Sequence, residues 1–162
     1  MDHRPAFEVY KEVVEKHGGQ QFSDDNFFDI AKAYPFGISK VDAERVVRDP
    51  LMVQENSLVC VGEVPQGAYV DILNGNQDTL IGAARKAKEF SESNMEDPTK
   101  MRFFIDCISR VLFLEENFSE ELKAVSSPDI QTIGACTLGE IANNQDAYLE
   151  FYNKTAVVIN LG

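Results

Sequence analysis

The chain has 162 residues, 44% of them hydrophobic and 26% charged, and a formal net charge of -12. That length fits one domain, spanning 1–162, with enough sequence to bury a core. Acidic residues spread from Glu8 to Glu150 repel nucleic acid and anionic membranes, and no apolar run nears the ~20 residues needed to cross a bilayer. Neither nucleic acid nor membrane is therefore an expected partner. The polar start, Met1-Asp2-His3-Arg4-Pro5, has no apolar leader core, so the expected location is cytoplasmic.

In chain order, residues 6–17 place Phe7, Tyr10, Val13 and Val14 at helical spacing, and Gly18-Gly19 ends the helix. Ser23 is the expected N-cap of a second helix, with Asp24 and Asp25 in its first turn and Pro35 beyond its end. Residues 43–48 read as a strand. Residues 57–63 and 68–73 read as a hairpin joined by Val64-Pro65-Gln66-Gly67. Helical spacing returns over 76–91 through Leu80, Ala83, Ala84, Ala87 and Phe90.

The polar stretch 91–100 reads as a surface loop, and 101–106 as an apolar strand. Residues 108–125 read as a helix that breaks near Asn117, with Val111, Leu112, Leu114, Phe118 and Leu122 on one side. A strand over 130–137 follows. Strands over 147–152 and 155–161 are expected to pair across Asn153-Lys154. Strand–helix–strand order in the middle with hairpins on both sides predicts an α+β fold: a mixed, largely antiparallel sheet covered by helices.

Two strand ends carry opposite charges. Arg110 follows the strand that runs into Asp106-Cys107, and Glu140 follows Gly139 at the end of IGACTL. A guanidinium fork suits a carboxylate and a carboxylate accepts from an amine, the pair needed to grip an α-amino acid. The alternative is that Arg110 pairs with Asp106 or Glu140 and pins the strand ends together. Gly134 and Gly139 permit close backbone approach or positive φ, and Asn144 follows in the loop. Paired carboxylates such as Glu120-Glu121 read as a solvated helix face.

Catalytic signatures are sparse. The three cysteines, Cys60, Cys107 and Cys136, are widely spaced with no C-x-x-C, and read as buried thiols; Arg110 is placed to activate Cys107. His3 and His17 form no cluster of metal-ligand spacing. No metal or cofactor motif is present, and the chain reads as non-enzymatic.

The segments DHRPAFEVYKEVV, YPFGI, RVVRDPLMV, SLVCVGEVPQGAYVDIL, FFIDCISR, IGACTLGEI and FYNKTAVV together resemble the C-terminal half of the FIST domain, over about 5–161. The resemblance implies a sensory domain for amino acids or related metabolites. It implies coupling to an output protein such as a histidine kinase, and a site shared with an N-terminal FIST half, which this sequence does not contain. On that reading Arg110 binds the ligand carboxylate and Glu140 the amine, with Cys107, Gly139 and Asn144 shaping the pocket. Two rival expectations accompany it. One is haem-based gas sensing, with His17, Cys107 or Cys136 as axial ligand. The other is a docking or homodimer module using exposed strand edges.

Overall fold

The computed structural model describes every residue except Asp2, Val41, Asp42, Asn94 and 144–147, and of Ala43 and Glu44 the backbone alone. The architecture is α+β with mainly antiparallel pairing, as the element order predicts. The contacts gather into two compact units, Met1–Asn74 and Gly75–Gly162.

In the first unit, helix α1 (Ala6–Gly18) ends as its sequence requires: Gly19 takes φ 70° and its N–H bonds the Glu15 carbonyl at 2.9 Å. Helix α2 (Phe27–Ala31) is capped differently from the expectation. Asn26 is the N-cap, and Ser23 donates its backbone N–H to Asn26 Oδ1 at 2.7 Å. Tyr10, Val14, Phe22, Ile30, Ala31 and Phe36 form the core, with Phe7 and Phe22 edge to face at 5.8 Å.

Two small antiparallel sheets complete this unit. Strand β1 (Phe36–Lys40) lies between β2 (Ala43–Arg48) and β5 (Val70–Ile72); β3 (Pro50–Gln54) pairs with β4 (Ser57–Cys60). The predicted hairpin of 57–63 with 68–73 is therefore absent. Glu55, at φ 55°, turns the chain so that Gln54 faces Ser57, and this tight turn claims β4 for β3. Strand β5 pairs instead with β1, Phe36 opposite Ile72.

In the second unit, helix α3 (Gln77–Ser93) begins with reciprocal capping: Asn76 Oδ1 accepts from the Thr79 N–H at 2.9 Å, and Thr79 Oγ1 from the Asn76 N–H at 3.1 Å. Strand β6 (Met101–Cys107) runs directly into α4 (Ile108–Leu114); a single 3-10 turn at Glu115–Asn117 then leads to α5 (Phe118–Val125). The predicted break near Asn117 is this turn.

Strand β7 (Gln131–Thr137) lies parallel to β6, and β10 (Ala156–Leu161) antiparallel to it; β8 (Glu140–Ala142) pairs with β9 (Glu150–Tyr152). The expected hairpin across Asn153-Lys154 does not form, because β9 and β10 find different partners. Of that predicted strand, Ala147 lies outside the described residues.

Alternation along β6 explains the core. Arg102, Phe104 and Asp106 are buried on the face that meets α3 and α5, where Phe104 packs with Ala84, Val125 and Val158. On the opposite face Ile133 and Ile159, both in register with Phe103, are exposed. Burying Arg102 requires that its charge and donors be met. Its Nε donates to Asn160 Oδ1 at 2.8 Å, and its remaining nitrogens reach Glu92, the Val125 carbonyl and Ser127 Oγ.

Candidate functional site

A second buried polar network occupies the other end of the same sheet face, where β6 passes into α4. Cys107, extended at φ -70° and ψ 130°, ends the strand, and α4 then brings Arg110 back beside Asp106, four residues earlier. Arg110 is buried. Its Nε stands 2.9 Å from Asp106 Oδ1, an ion pair without hydrogen-bond alignment. Its Nη2 pairs with Glu121 and donates to the Leu80 carbonyl at 2.9 Å, and Nη1 reaches the Lys154 carbonyl at 3.4 Å.

Such saturation corrects one sequence expectation. A guanidinium already holding two carboxylates and two carbonyls has no fork left for a ligand carboxylate. The alternative, Arg110 pairing with Asp106 to pin the strand end, is the arrangement observed. Glu121 is a second correction, since it is fully buried and not on a solvated face. Its spacing was the available signal: Leu114, Phe118, Glu121 and Val125 mark one helical stripe, while Leu112 and Leu122 are exposed.

Glu140 opens β8 and is buried with its carboxylate held by one oxygen. Thr137 Oγ1 donates to Oε1 at 2.7 Å, whereas Oε2 has no hydrogen-bond partner among the described residues. Burial raises its pKa; Thr137, the Thr155 backbone N–H, the Cys107 thiol and Arg110 oppose the rise. Asn153, wholly buried between β9 and β10, spends its amide N–H groups on the Leu138 and Tyr152 carbonyls, and its Oδ1 is likewise unpartnered.

Cys107 and Ser109 link this carboxylate to a cation. Cys107 Sγ lies 3.3 Å from Ser109 Oγ, which in turn accepts from Lys154 Nζ at 3.4 Å. Lys154, at φ 56°, turns its own carbonyl to Arg110, and its Nζ stands 5.7 Å above the Phe113 ring. Sequence reasoning placed Lys154 at a hairpin tip and gave it no role.

The remaining predicted site residues behave as follows. Cys107 is buried, and burial pushes its thiol pKa up, so Arg110 does not activate it as a nucleophile. Gly139 makes room for the Phe151 ring, which any Cβ there would strike. Neither Gly134 nor Gly139 has positive φ. Asn144 lies outside the described residues.

Haem ligation through Cys107 or Cys136 does not fit these thiols. Of the three cysteines expected to be buried only Cys107 is; Cys60 is half-buried and Cys136 exposed. Partial desolvation and the nearby Asp106 and Glu121 carboxylates still raise the Cys136 pKa, so neither Cys107 nor Cys136 favours the thiolate an iron would need. His17 lies on α1 with Nδ1 3.2 Å from the Tyr34 hydroxyl. Among the described residues no group of three His, Cys, Asp or Glu is placed to hold a metal ion, and no helix is long and apolar enough to cross a membrane.

Comparison with known families matches the FIST C domain over residues 6–143, and the chain belongs to that family, one of sensory and signalling domains, not of enzymes. The match stops short of the resemblance read to 161, so the Asn153-Lys154-Thr155 turn lies beyond it. No curated protein and no solved structure matches the chain.

Proposed function

We propose that this chain is a cytoplasmic, non-catalytic sensory module that binds an amino acid or similar small metabolite. Its occupancy would be read by an output partner such as a histidine kinase, an N-terminal FIST half or a second copy. Family membership supports the sensory class. One observation carries the site: the buried Glu140, with one oxygen unpartnered, is joined through Cys107 and Ser109 to the Lys154 ammonium.

On this reading Glu140 and Asn153 Oδ1 receive the ligand's amine, and Lys154 with Ser109 faces its carboxylate. Arg110 sets the position of the strand end and does not touch the ligand. Binding shifts the population of two arrangements by its differential affinity for them, which is the signal.

Thermal unfolding of the full chain against the standard amino acids tests this. A zwitterion that raises Tm is expected to lose about 10- to 100-fold in affinity with Glu140→Gln or Lys154→Ala, the worth of one charged hydrogen bond. Equal shifts in wild type and both variants would remove Glu140 and Lys154 from the site.

A further inference from the structure

We propose that the site takes the cationic end of its ligand in exchange for a proton held by Asp106, within the buried cluster it forms with Glu121 and Glu140. This rests on the ligand-binding reading above and adds a charge rule to it. Three buried carboxyl groups, from β6, α5 and β8, surround one buried guanidinium. With all three ionised, Arg110 and the Lys154 ammonium would leave one negative charge unmatched in a medium that strongly disfavours isolated charge.

Hydrogen bonding points the same way. Asp106 meets Arg110 as an ion pair and touches the Glu121 carboxyl group, while Glu121 Oε2, Glu140 Oε2 and Asn153 Oδ1 accept no hydrogen bond among the described residues. Every one of these orphaned oxygens is an acceptor. An ammonium group brings three donors and one positive charge, which is what the cluster lacks. An anionic or purely apolar ligand would leave them unmet.

Asp106 carries the titration. Burial is the main cause that lifts its pKa from 3.8 to about 7; Arg110 opposes the rise, while Glu121 and Glu140 add to it. Contact with the Glu121 carboxyl group favours the protonated form of Asp106. The charged or titratable groups around Asp106 are Cys107 on its own strand, Arg110 on α4, Glu121 on α5, Cys136 in register on β7, Glu140 on β8 and Lys154 before β10. A proton and an ammonium therefore compete for one cluster. No covalent bond changes: the ligand enters as a cation and the proton leaves to solvent.

The test is thermal unfolding of the full chain between about pH 5 and about pH 8.5, without ligand and with glycine, methylammonium or acetate. Without ligand, the Asp106 contribution is fully present below its unfolded pKa of 3.8 and declines until about pH 7; Asp106→Asn flattens this decline. Apparent affinity for glycine and methylammonium should rise with pH by up to about tenfold per unit through that window, then level off. Acetate should give no such rise.

Asp106→Asn should abolish the pH dependence; Glu121→Gln gives a second route if that variant fails to fold. A glycine shift that is equal at all pH values overturns proton exchange and leaves the ligand reading standing. If neither glycine nor methylammonium shifts Tm at any pH, both fall.

Discussion

Arg110→Ala is expected to lower the unfolding free energy of the second unit by about 3–5 kcal/mol, the cost of stripping a buried ion cluster of its guanidinium. Asp106, Glu121 and Glu140 would remain buried, and the Leu80 and Lys154 carbonyls would lose their donor. Urea denaturation followed by circular dichroism measures the loss, since the chain has no tryptophan. Arg110→Ala combined with Asp106→Asn and Glu121→Gln should recover a large part of it, because Glu140 is then the one carboxyl group of the cluster left without the guanidinium. A drop under ~1 kcal/mol for the single variant would mean that water reaches these carboxylates. Such a result would contradict the closed network and would reopen Arg110 as a ligand contact.

Gly134→Val should have the next largest effect. Gly134 lies opposite Phe104 in the parallel pair of β6 and β7, and a Cβ built there strikes the Phe104 carbonyl oxygen. Backbone cannot yield as a side-chain tip can, so the strands must separate locally, at a cost of at least the ~1–3 kcal/mol of ordinary overpacking. The same displacement would move Thr137, whose hydroxyl holds Glu140, and ligand affinity should fall together with Tm. Gly82→Ala is the matching control. It lies inside α3 with open space around its Cβ position, and the change should stabilise by ~0.5–1 kcal/mol through helix propensity. If Gly134→Val behaves like Gly82→Ala, the close approach of β6 and β7 is wrong.

Local signals in the sequence were legible where the structure is local. The 3.6-residue period located α1 and α3, Gly19 ended α1, and the break at Asn117 appeared as a 3-10 turn. Strand partners were not legible, because pairing of β5 with β1 and of β10 with β6 joins distant segments. The two expected hairpins assumed that neighbours in sequence are neighbours in the sheet. Glu55, a non-glycine residue at positive φ, turned the chain ten residues before the Pro65-Gly67 signal.

The site was half legible for a related reason. Opposed charges at strand ends drew attention to Arg110 and Glu140, but charge alone does not tell a ligand contact from an internal pair. What separates them is the partner, and Glu121 arrives from α5 eleven residues on. Its position on the apolar stripe of Leu114, Phe118 and Val125 was the overlooked clue. Lys154 gave no such clue, because its place beside Ser109 depends on β10 returning to β6.

The most direct test of the account is the Glu140 side-chain carboxyl carbon, followed by NMR while glycine is added to the full chain. The account predicts that this resonance moves with glycine at the same apparent Kd as the thermal shift, and that Lys154→Ala weakens both equally. A Glu140 resonance that stays fixed while glycine stabilises the protein would place the ligand elsewhere and contradict the assignment.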